Sequence, residues 1–215
     1  MEPPRPARLE RPFLSPEELG RLLEGVRGDW LYLPALLAGV AGLRRGEVLA
    51  LRWADVDFRA GTLIVRQTLG ADGRFAEPKS RESRREITLP AFLLAELQRH
   101  KAAQAEHRLQ VGDAWTDRGF VVADGLGNPR SPGSLTHAFA ELTARAGLPK
   151  ITFHDLRHVN ATLLLLAGVP DKVASERLGH CDTQITRDLY QYVLPRMDEE
   201  AARKTDDFFR RALGG

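Results

Sequence analysis

The sequence predicts a mainly α-helical fold with a small three-stranded antiparallel β-sheet, an α+β arrangement. Apolar residues recur at helical spacing over residues 15–51 and 90–193, and capping residues and glycines stand at the segment ends. Between them, residues 62–89 are rich in β-branched side chains that alternate with polar ones. With 215 residues, 43% hydrophobic and 28% charged, the composition is that of a globular chain able to bury a core in one large domain or two small ones.

Three helices are predicted in the first part of the chain. Residues 15–25 begin with a serine that can cap and a proline suited to the first helical position. Residues 30–40 are apolar almost throughout, which is typical of a buried helix, and Gly42 marks a break before a short helix at 45–51. Arg44 therefore lies at a helix junction, where a rigidly held side chain and nearby backbone amides would favour an anion.

The middle of the chain predicts the sheet. Residues 62–68 form one strand, the turn at 71–73 leads into a second, and residues 85–89 form the third. Lys79 falls in the link between the second and third strands. A lysine in a loop is usually solvent-exposed and without a specific role, so its interpretation depends on the motifs described below.

The second half of the chain returns to helical patterns. Helices are predicted at 90–107, 131–146, 155–167, 171–178 and 183–193, and an amphipathic segment follows at 198–213. We expect residues 1–12 to be a linker or N-terminal extension and 13–195 to be the main domain. Residues 196–215 are expected to form a C-terminal helix whose apolar residues, Phe208, Phe209 and Leu213, could dock on a neighbouring subunit.

Composition excludes several classes of protein. No run approaches the roughly 20 apolar residues of a membrane span, and residues 1–10 lack the apolar core of a secretory signal. A single cysteine, Cys181, excludes an internal disulfide and any zinc site built on paired thiolates. We therefore expect a cytoplasmic protein that contacts no membrane and needs no metal or other cofactor.

Positive charge is concentrated in two short segments. The net charge is only +2 and the sequence pI is near 8.9, a mild indication of nucleic-acid binding. Either segment could present a positive surface to phosphates, although a solvated charge run is the better interpretation for most single charges. The residues concerned are Arg44, Arg45 and Arg52 in the first segment and Arg74, Lys79, Arg81, Arg84 and Arg85 in the second.

The residues with the clearest chemistry follow residue 150. The chain reads Ile-Thr-Phe-His154-Asp-Leu-Arg157-His, then Leu-Gly-His180, then Tyr190. Arg157 can grip a phosphate diester through its planar fork of donors, and His154 and His180 can donate or accept a proton beside it. Tyr190 carries a phenol able to attack phosphorus. This combination predicts covalent chemistry on a nucleic-acid backbone.

Two upstream segments, residues 41–53 and 77–85, supply matching parts. They read Ala-Gly-Leu-Arg44-Arg-Gly-Glu47-Val-Leu-Ala-Leu-Arg-Trp and Glu-Pro-Lys79-Ser-Arg-Glu-Ser-Arg-Arg85. Each short match alone is weak, but six residue types in the right order and local context are specific. The similarity of pattern covers roughly residues 11 to 195. The ordered set resembles the catalytic set of the tyrosine recombinases, the phage-integrase family of site-specific DNA recombinases; its members here are Arg44, Lys79, His154, Arg157, His180 and Tyr190.

The resemblance implies the tyrosine recombinase catalytic-domain fold and a transesterification without metal or nucleotide cofactor. Tyr190 would attack phosphorus to give a 3′-phosphotyrosyl link and a free 5′-hydroxyl. Arg44 and Arg157 would neutralise the developing charge on the phosphate. Lys79 would protonate the departing 5′-oxygen as general acid.

The resemblance also assigns roles to the remaining residues. His154 would help manage the proton of the nucleophile, His180 would hydrogen-bond a phosphate oxygen, and Glu47 would orient the neighbouring arginine. Tyr192 is a rival phenol, but Tyr190 has the Leu-Tyr-x-x-Val-Leu-Pro context in which the family places its nucleophile. Val159-Asn160 and Cys181-Asp182 depart from the common family pattern, which leaves the helix packing near the site open.

The expected partners are double-stranded DNA, further copies of the chain in a tetramer assembled through the C-terminal helix, and helper DNA-binding proteins. Members of the family usually carry a helical DNA-clamping domain before the catalytic one, and residues 1–12 are too short for it. Two alternatives to a recombinase stay open. One is a type IB topoisomerase, whose chemistry is closely related, and the other is a catalytically idle DNA-binding regulatory fragment.

Overall fold

A computed structural model of the chain describes residues 14, 16–77, 84–146 and 151–179. The helices in these ranges are α1 (Pro16–Gly25), α2 (Tyr32–Gly39), α3 (Arg45–Ala50), α4 (Ala91–Val111), α5 (Pro132–Arg145), α6 (Asp155–Leu166) and α7 (Asp171–Leu178). The strands are β1 (Val56–Asp57), β2 (Thr62–Ile64), β3 (Thr68–Leu69), β4 (Phe75–Ala76) and β5 (Glu86–Thr88). The helices predicted at 183–193 and 198–213 lie outside the described residues.

The helices within the described ranges follow the predicted ones closely. The cap of α5 shows why: Ser131 Oγ accepts a hydrogen bond from the backbone N–H of Ser134 at 3.0 Å, which satisfies one of the donors that a helix start leaves open. Helix α4 continues past its predicted end at 107, because no residue there interrupts it before Gly112. Gly112 has φ +61, a conformation that glycine adopts without strain, and it ends the helix.

The predicted three-stranded antiparallel sheet is present, but its strands are not the three expected. Its order is β1-β2-β5, with Leu63 opposite both Val56 and Ile87. The first strand was not predicted, and the segment 62–68 contains two strands. The second of these, β3, pairs with β4 in a separate hairpin. The alternation indicates which side chains turn inward, but the point at which the chain changes pairing partner depends on tertiary contacts.

Helix α2 lies at the centre of the core. It is apolar on all sides, so it can only be stable when other elements cover it, and α1, α3, α4 and α6 all pack against it. Asn160 on α6 is buried there, and its Nδ2 donates to the carbonyls of Gly39 and Val40 at 3.2 and 2.8 Å. Asn160, one of the departures from the family pattern, thus closes the end of α2 and fixes the turn toward Arg44.

Two glycines allow that turn to fit between its neighbours. Gly42 has φ +71, and a Cβ there would lie 2.6 Å from Leu178 Cδ2 and 2.8 Å from Asn160 Oδ1. A Cβ on Gly46 would overlap the hydroxyl of Thr68 in the β3–β4 hairpin. The chain around Arg44 is therefore enclosed by α6, α7 and the hairpin, with no space for larger residues at these two positions.

Candidate functional site

Three arginines meet at the C-terminal end of α7. The guanidinium groups of Arg85, Arg157 and Arg44 donate, in that order, to the consecutive backbone oxygens of residues 177–179. The bonds of Arg85 and Arg44 both measure 2.7 Å. A helix leaves its last carbonyls without intrahelical partners and carries partial negative charge at this end, so it stabilises cations. The end of α7 therefore gathers side chains that are far apart in the sequence.

Arg157 is the most deeply buried of the three, with 1% of its surface exposed. It donates to the carbonyls of Gly42 and Leu178. Its Nε–H group is also buried and has no hydrogen-bond partner among the described residues. Burial, followed by the charge of Arg44, lowers the pKa of Arg157 to about 9, so the side chain is still protonated at neutral pH.

Glu47 joins two of the arginines. Its carboxylate accepts from the backbone N–H and the Nη1 of Arg44, both at 2.8 Å. It also accepts from Arg85 Nη1 at 3.1 Å and Nη2 at 2.9 Å. Burial alone would raise the pKa of Glu47, but its hydrogen bonds and the charges of Arg85 and Arg44 outweigh burial and hold the pKa below its ordinary value. The carboxylate therefore stays ionised at neutral pH.

Three guanidinium groups lie close together at this end of α7. Arg44 and Arg85 both donate to the Glu47 carboxylate, whereas Arg157 donates to two backbone carbonyls. The side chain of Arg44 is 35% exposed, whereas Arg157 lies beneath the surface. Fixed cations attract an anion and stabilise charge that develops on its oxygens. The arrangement suits the binding and activation of one phosphate group.

His154 lies at the start of α6, three residues before Arg157, and is exposed. Its ring contacts the ring of His158 edge to face, with centroids 4.9 Å apart. Desolvation by the surrounding protein, then the charges of His158 and Arg157, lower the pKa of His154 to about 4, and Asp155 opposes the shift. The imidazole is therefore neutral at physiological pH, with one ring nitrogen able to accept a hydrogen bond or a proton, and the lowered pKa makes it a weaker base than a free histidine.

An NMR pH titration of the His154 ring tests this state. We expect the ring to stay neutral as the pH falls from 8 to 6, because desolvation, and then the charges of His158 and Arg157, disfavour the protonated ring. The unfolded chain, in which histidine has a pKa of about 6.5, is the control. Since the unfolded state binds more protons between about pH 4 and 6.5, the contribution of His154 to stability should rise with pH across that window. A folded-state midpoint at or above 6.5 would contradict the account.

The structure brings Arg44, Glu47 and Arg157 together at the end of α7, and it places His154 at the start of the helix that carries Arg157. Gly179, whose carbonyl Arg44 binds, directly precedes the second motif histidine in the sequence. The three remaining candidates lie outside the described residues; they are Lys79, His180 and Tyr190.

The sequence-based interpretation was wrong for Arg85. It grouped Arg85 with the positively charged surface of residues 74–85, but the side chain is buried and pairs with Glu47. The strand pattern contained the signal that could have shown this. Arg85 stands two residues before Ile87, which is 1% exposed, and residues two apart in a strand point to the same face. A buried arginine requires a carboxylate or carbonyl partner, which a sequence alone does not identify.

The part of the chain that the structure describes contains neither a candidate metal site nor a candidate membrane span. No group of three or more His, Cys, Asp or Glu side chains is placed there to hold a metal ion. None of the described helices combines the length and apolarity needed to cross a membrane.

Comparison with known proteins adds relatives over most of the chain. A model of the phage integrase family matches residues 12–196. A tyrosine recombinase XerC-like protein from Caldanaerobacter subterraneus subsp. tengcongensis is 33% identical over 210 residues, which cover 91% of this chain and 54% of that protein. The ICEBs1 integrase of Bacillus subtilis is 30% identical over 200 residues, again covering 91% and 54%. The chain thus spans about half the length of these curated relatives.

Solved structures show the same fold. The Tn1549 transposon integrase in complex with transposon right end DNA has a TM-score of 0.72 at 22% identity, over 88% of this chain and 66% of that one. The crystal structure of XerA recombinase has a TM-score of 0.67 at 24% identity, over 89% and 66%. At identities this low, structural similarity is evidence for the fold alone. The similarity confirms the predicted catalytic-domain fold.

Proposed function

The chain belongs to the phage integrase family, and we propose that it is the catalytic domain of a site-specific DNA recombinase that cuts and rejoins DNA through a 3′-phosphotyrosyl intermediate. The observation that carries the proposal is the convergence of Arg44 and Arg157 on adjacent carbonyls at the end of α7. In this proposal residues 13–195 form the catalytic domain. Residues 1–12 are an extension, and 196–215 a C-terminal helix.

The two arginines would activate the phosphodiester. Such a diester is anionic and resists attack, so a fixed pair of cations must take up the charge that develops on its non-bridging oxygens. Arg157 is protonated and carries a buried Nε–H without a partner among the described residues, while Arg44 is partly open to solvent. Loss of one such transition-state donor typically costs about 3 kcal/mol.

Proton transfer completes the proposed reaction. The bond between the Tyr190 phenolic oxygen and phosphorus forms as the bond from phosphorus to the 5′-oxygen breaks. The phenolic proton, whose reference pKa is about 10, passes to the neutral imidazole of His154, and Lys79 protonates the departing 5′-oxygen. His180 hydrogen-bonds a phosphate oxygen. A 5′-hydroxyl reverses these steps and rejoins the strand, so the ester bond energy is conserved and no nucleotide is consumed.

Double-stranded DNA is the proposed substrate. The Tn1549 integrase, which shares the fold, was solved in complex with transposon DNA, and a lambda integrase dimer was solved on a core site. Recombination between two sites requires several active sites together, so we propose a tetramer on DNA, assembled through the C-terminal helix and aided by helper DNA-binding proteins. The proposed compartment is the cytoplasm.

Trapping of the covalent intermediate tests the proposal. The full chain is incubated with a library of nicked duplexes whose core is randomised, so that the 5′-hydroxyl fragment released by cleavage diffuses away. We expect an adduct that withstands denaturing detergent, forms in the presence of a chelator and maps to Tyr190. Tyr190→Phe should abolish it, because Tyr190 holds the nucleophile's position in the Leu-Tyr-x-x-Val-Leu-Pro motif. Tyr192→Phe is the matched control and should retain it.

Three outcomes would contradict the proposal. An adduct that persists in Tyr190→Phe would assign the nucleophile elsewhere. The lack of any adduct with the unaltered chain, combined with measurable DNA binding, would indicate a catalytically idle binding protein. Efficient relaxation of supercoiled plasmid without dependence on site would indicate a type IB topoisomerase.

A further inference from the structure

We propose that Arg85 is a positioning residue for strand cleavage, which fixes Glu47 and the end of α7 together and thereby sets the orientation of the Arg44 fork. The inference rests on the proposed function, since it concerns the phosphate that Arg44 would bind. It adds a residue for which the sequence motifs gave no role.

Every nitrogen of the Arg85 guanidinium is engaged. Nη1 and Nη2 donate to the two oxygens of Glu47, and Nε donates to the carbonyl of Arg177. The side chain is 6% exposed. A planar fork held at three points has little freedom, and lysine, with one ammonium group, cannot reproduce it.

The contacts of Glu47 link Arg85 to Arg44. One carboxylate oxygen, Oε1, accepts both Arg44 Nη1 at 2.8 Å and Arg85 Nη1 at 3.1 Å. The other, Oε2, accepts the backbone N–H of Arg44 and Arg85 Nη2. Any rotation of this carboxylate therefore moves the Arg44 side chain. Arg85 prevents the rotation by binding both oxygens at once.

The end of α7 is held in the same way. Arg85 binds the carbonyl of residue 177 and Arg44 binds that of residue 179, so the two side chains grip one turn of backbone. Arg85 is also tied to the sheet just before β5, because the backbone N–H of Val65 donates to the Arg85 carbonyl at 2.9 Å. One buried side chain thus connects α3, the sheet and α7.

Removal of Arg85 would leave the Glu47 carboxylate buried with two of its four hydrogen-bond donors, both from Arg44. The charged groups that face this carboxylate are Arg44 before α3, Arg85 before β5 and Arg157 on α6, and Arg177 on α7 lies beside the same cluster. With Arg85 absent, burial favours the protonated acid, and protonation weakens the bond to Arg44. Cleavage should then fall at mildly acidic pH, where the unaltered chain keeps Glu47 ionised.

Single-turnover cleavage of the nicked substrate between pH 5.5 and 8 tests the proposal. For Arg85→Met we expect a loss of roughly 10- to 100-fold at pH 8, the range typical when a side chain that orients a functional group is removed. The loss should grow as the pH falls, and DNA affinity should change little. Arg108→Met is the matched control. It removes an exposed arginine–carboxylate pair with Asp117 and should leave the rate and its pH profile unchanged.

Two further variants separate positioning from folding. Arg85→Lys keeps the positive charge and should fold. Its cleavage rate should nevertheless fall, as in Arg85→Met, because lysine cannot bind both oxygens of Glu47 as the arginine does. In the double variant Glu47→Gln/Arg85→Met, the additional loss of cleavage rate at low pH should disappear, because position 47 no longer carries a carboxylate that can be protonated. An Arg85→Met or Arg85→Lys rate equal to that of the unaltered chain, or a loss that is uniform across the pH range, would overturn the proposal.

Carbon-13 NMR of the labelled Glu47 carboxyl gives a readout independent of activity. We expect its titration midpoint to lie higher in Arg85→Met than in the unaltered chain, and an unchanged midpoint would count against positioning. An unaltered chain that forms no adduct would contradict the proposed recombinase instead. Failure of one proposal can thus be told from failure of the other.

Discussion

Arg157→Lys is expected to slow formation of the DNA adduct by roughly 10²- to 10³-fold, the cost typical of removing one donor that stabilises a developing oxyanion. The physical reason is geometric. The guanidinium already spans the carbonyls of Gly42 and Leu178 and still has its Nε–H available, whereas a lysine ammonium has one nitrogen and cannot bridge two carbonyls and a phosphate oxygen. Single-turnover kinetics on the nicked substrate measure the effect.

The control for this prediction is Arg99→Lys. Arg99 is an exposed arginine on α4 that pairs with Glu96 at 2.6 Å, so the same chemical change occurs away from the end of α7. It should leave the rate within about twofold of the unaltered chain, as expected for an exposed ion pair. A folded Arg157→Lys variant that cleaved DNA as fast as this control would contradict the role given to Arg157.

Gly42→Ala should be the most damaging of the small substitutions. The backbone at Gly42 has φ +71, which costs a non-glycine residue roughly 1–2 kcal/mol, and the added Cβ would lie 2.6 Å from Leu178 Cδ2 and 2.8 Å from Asn160 Oδ1. Overpacking a filled site adds about 1–3 kcal/mol. We expect the free energy of unfolding, measured by urea denaturation, to fall by about 2–5 kcal/mol.

Gly28→Ala isolates the backbone part of this cost. Gly28 has φ +87, and a Cβ there would meet nothing within 4 Å, so only the conformational strain applies. It should lose roughly 1–2 kcal/mol. Equal losses in the two variants would show that the turn before Arg44 is not tightly enclosed. Gly42→Ala should also slow cleavage, because the carbonyl of Gly42 holds Arg157.

Much of the helical fold could be predicted because its signals are local. The serine before α5 and the glycine after α7 mark helix ends through their own backbone chemistry, and the apolar run of α2 identifies it as buried. The sheet was less predictable. Strand β1 has two residues, too few to show an alternation of apolar and polar side chains. Strand β3 follows β2 in the chain but pairs with β4 in a separate hairpin. Such pairings are decided by contacts between distant segments.

The candidate site also contains residues that local sequence identifies and one whose role depends on a distant contact. Arg44, Glu47 and Arg157 stood out because each has a recognisable local context, and the structure places them within one hydrogen-bonded group. Arg85 ends the matching segment 77–85 but received no role of its own, and its partner lies 38 residues away. A buried ion pair depends on both partners meeting in three dimensions, so a single sequence shows the charge without showing the pairing.

A crystal structure of the full chain with an uncleavable duplex chosen from the trapped library tests the central claim most directly. We expect the guanidinium groups of Arg44 and Arg157 both to lie within hydrogen-bond distance of non-bridging oxygens of one phosphate. The hydroxyl of Tyr190 should approach the same phosphorus from the side opposite the 5′-oxygen. Arginines that bind two different phosphates, or a tyrosine remote from the phosphate they share, would contradict it.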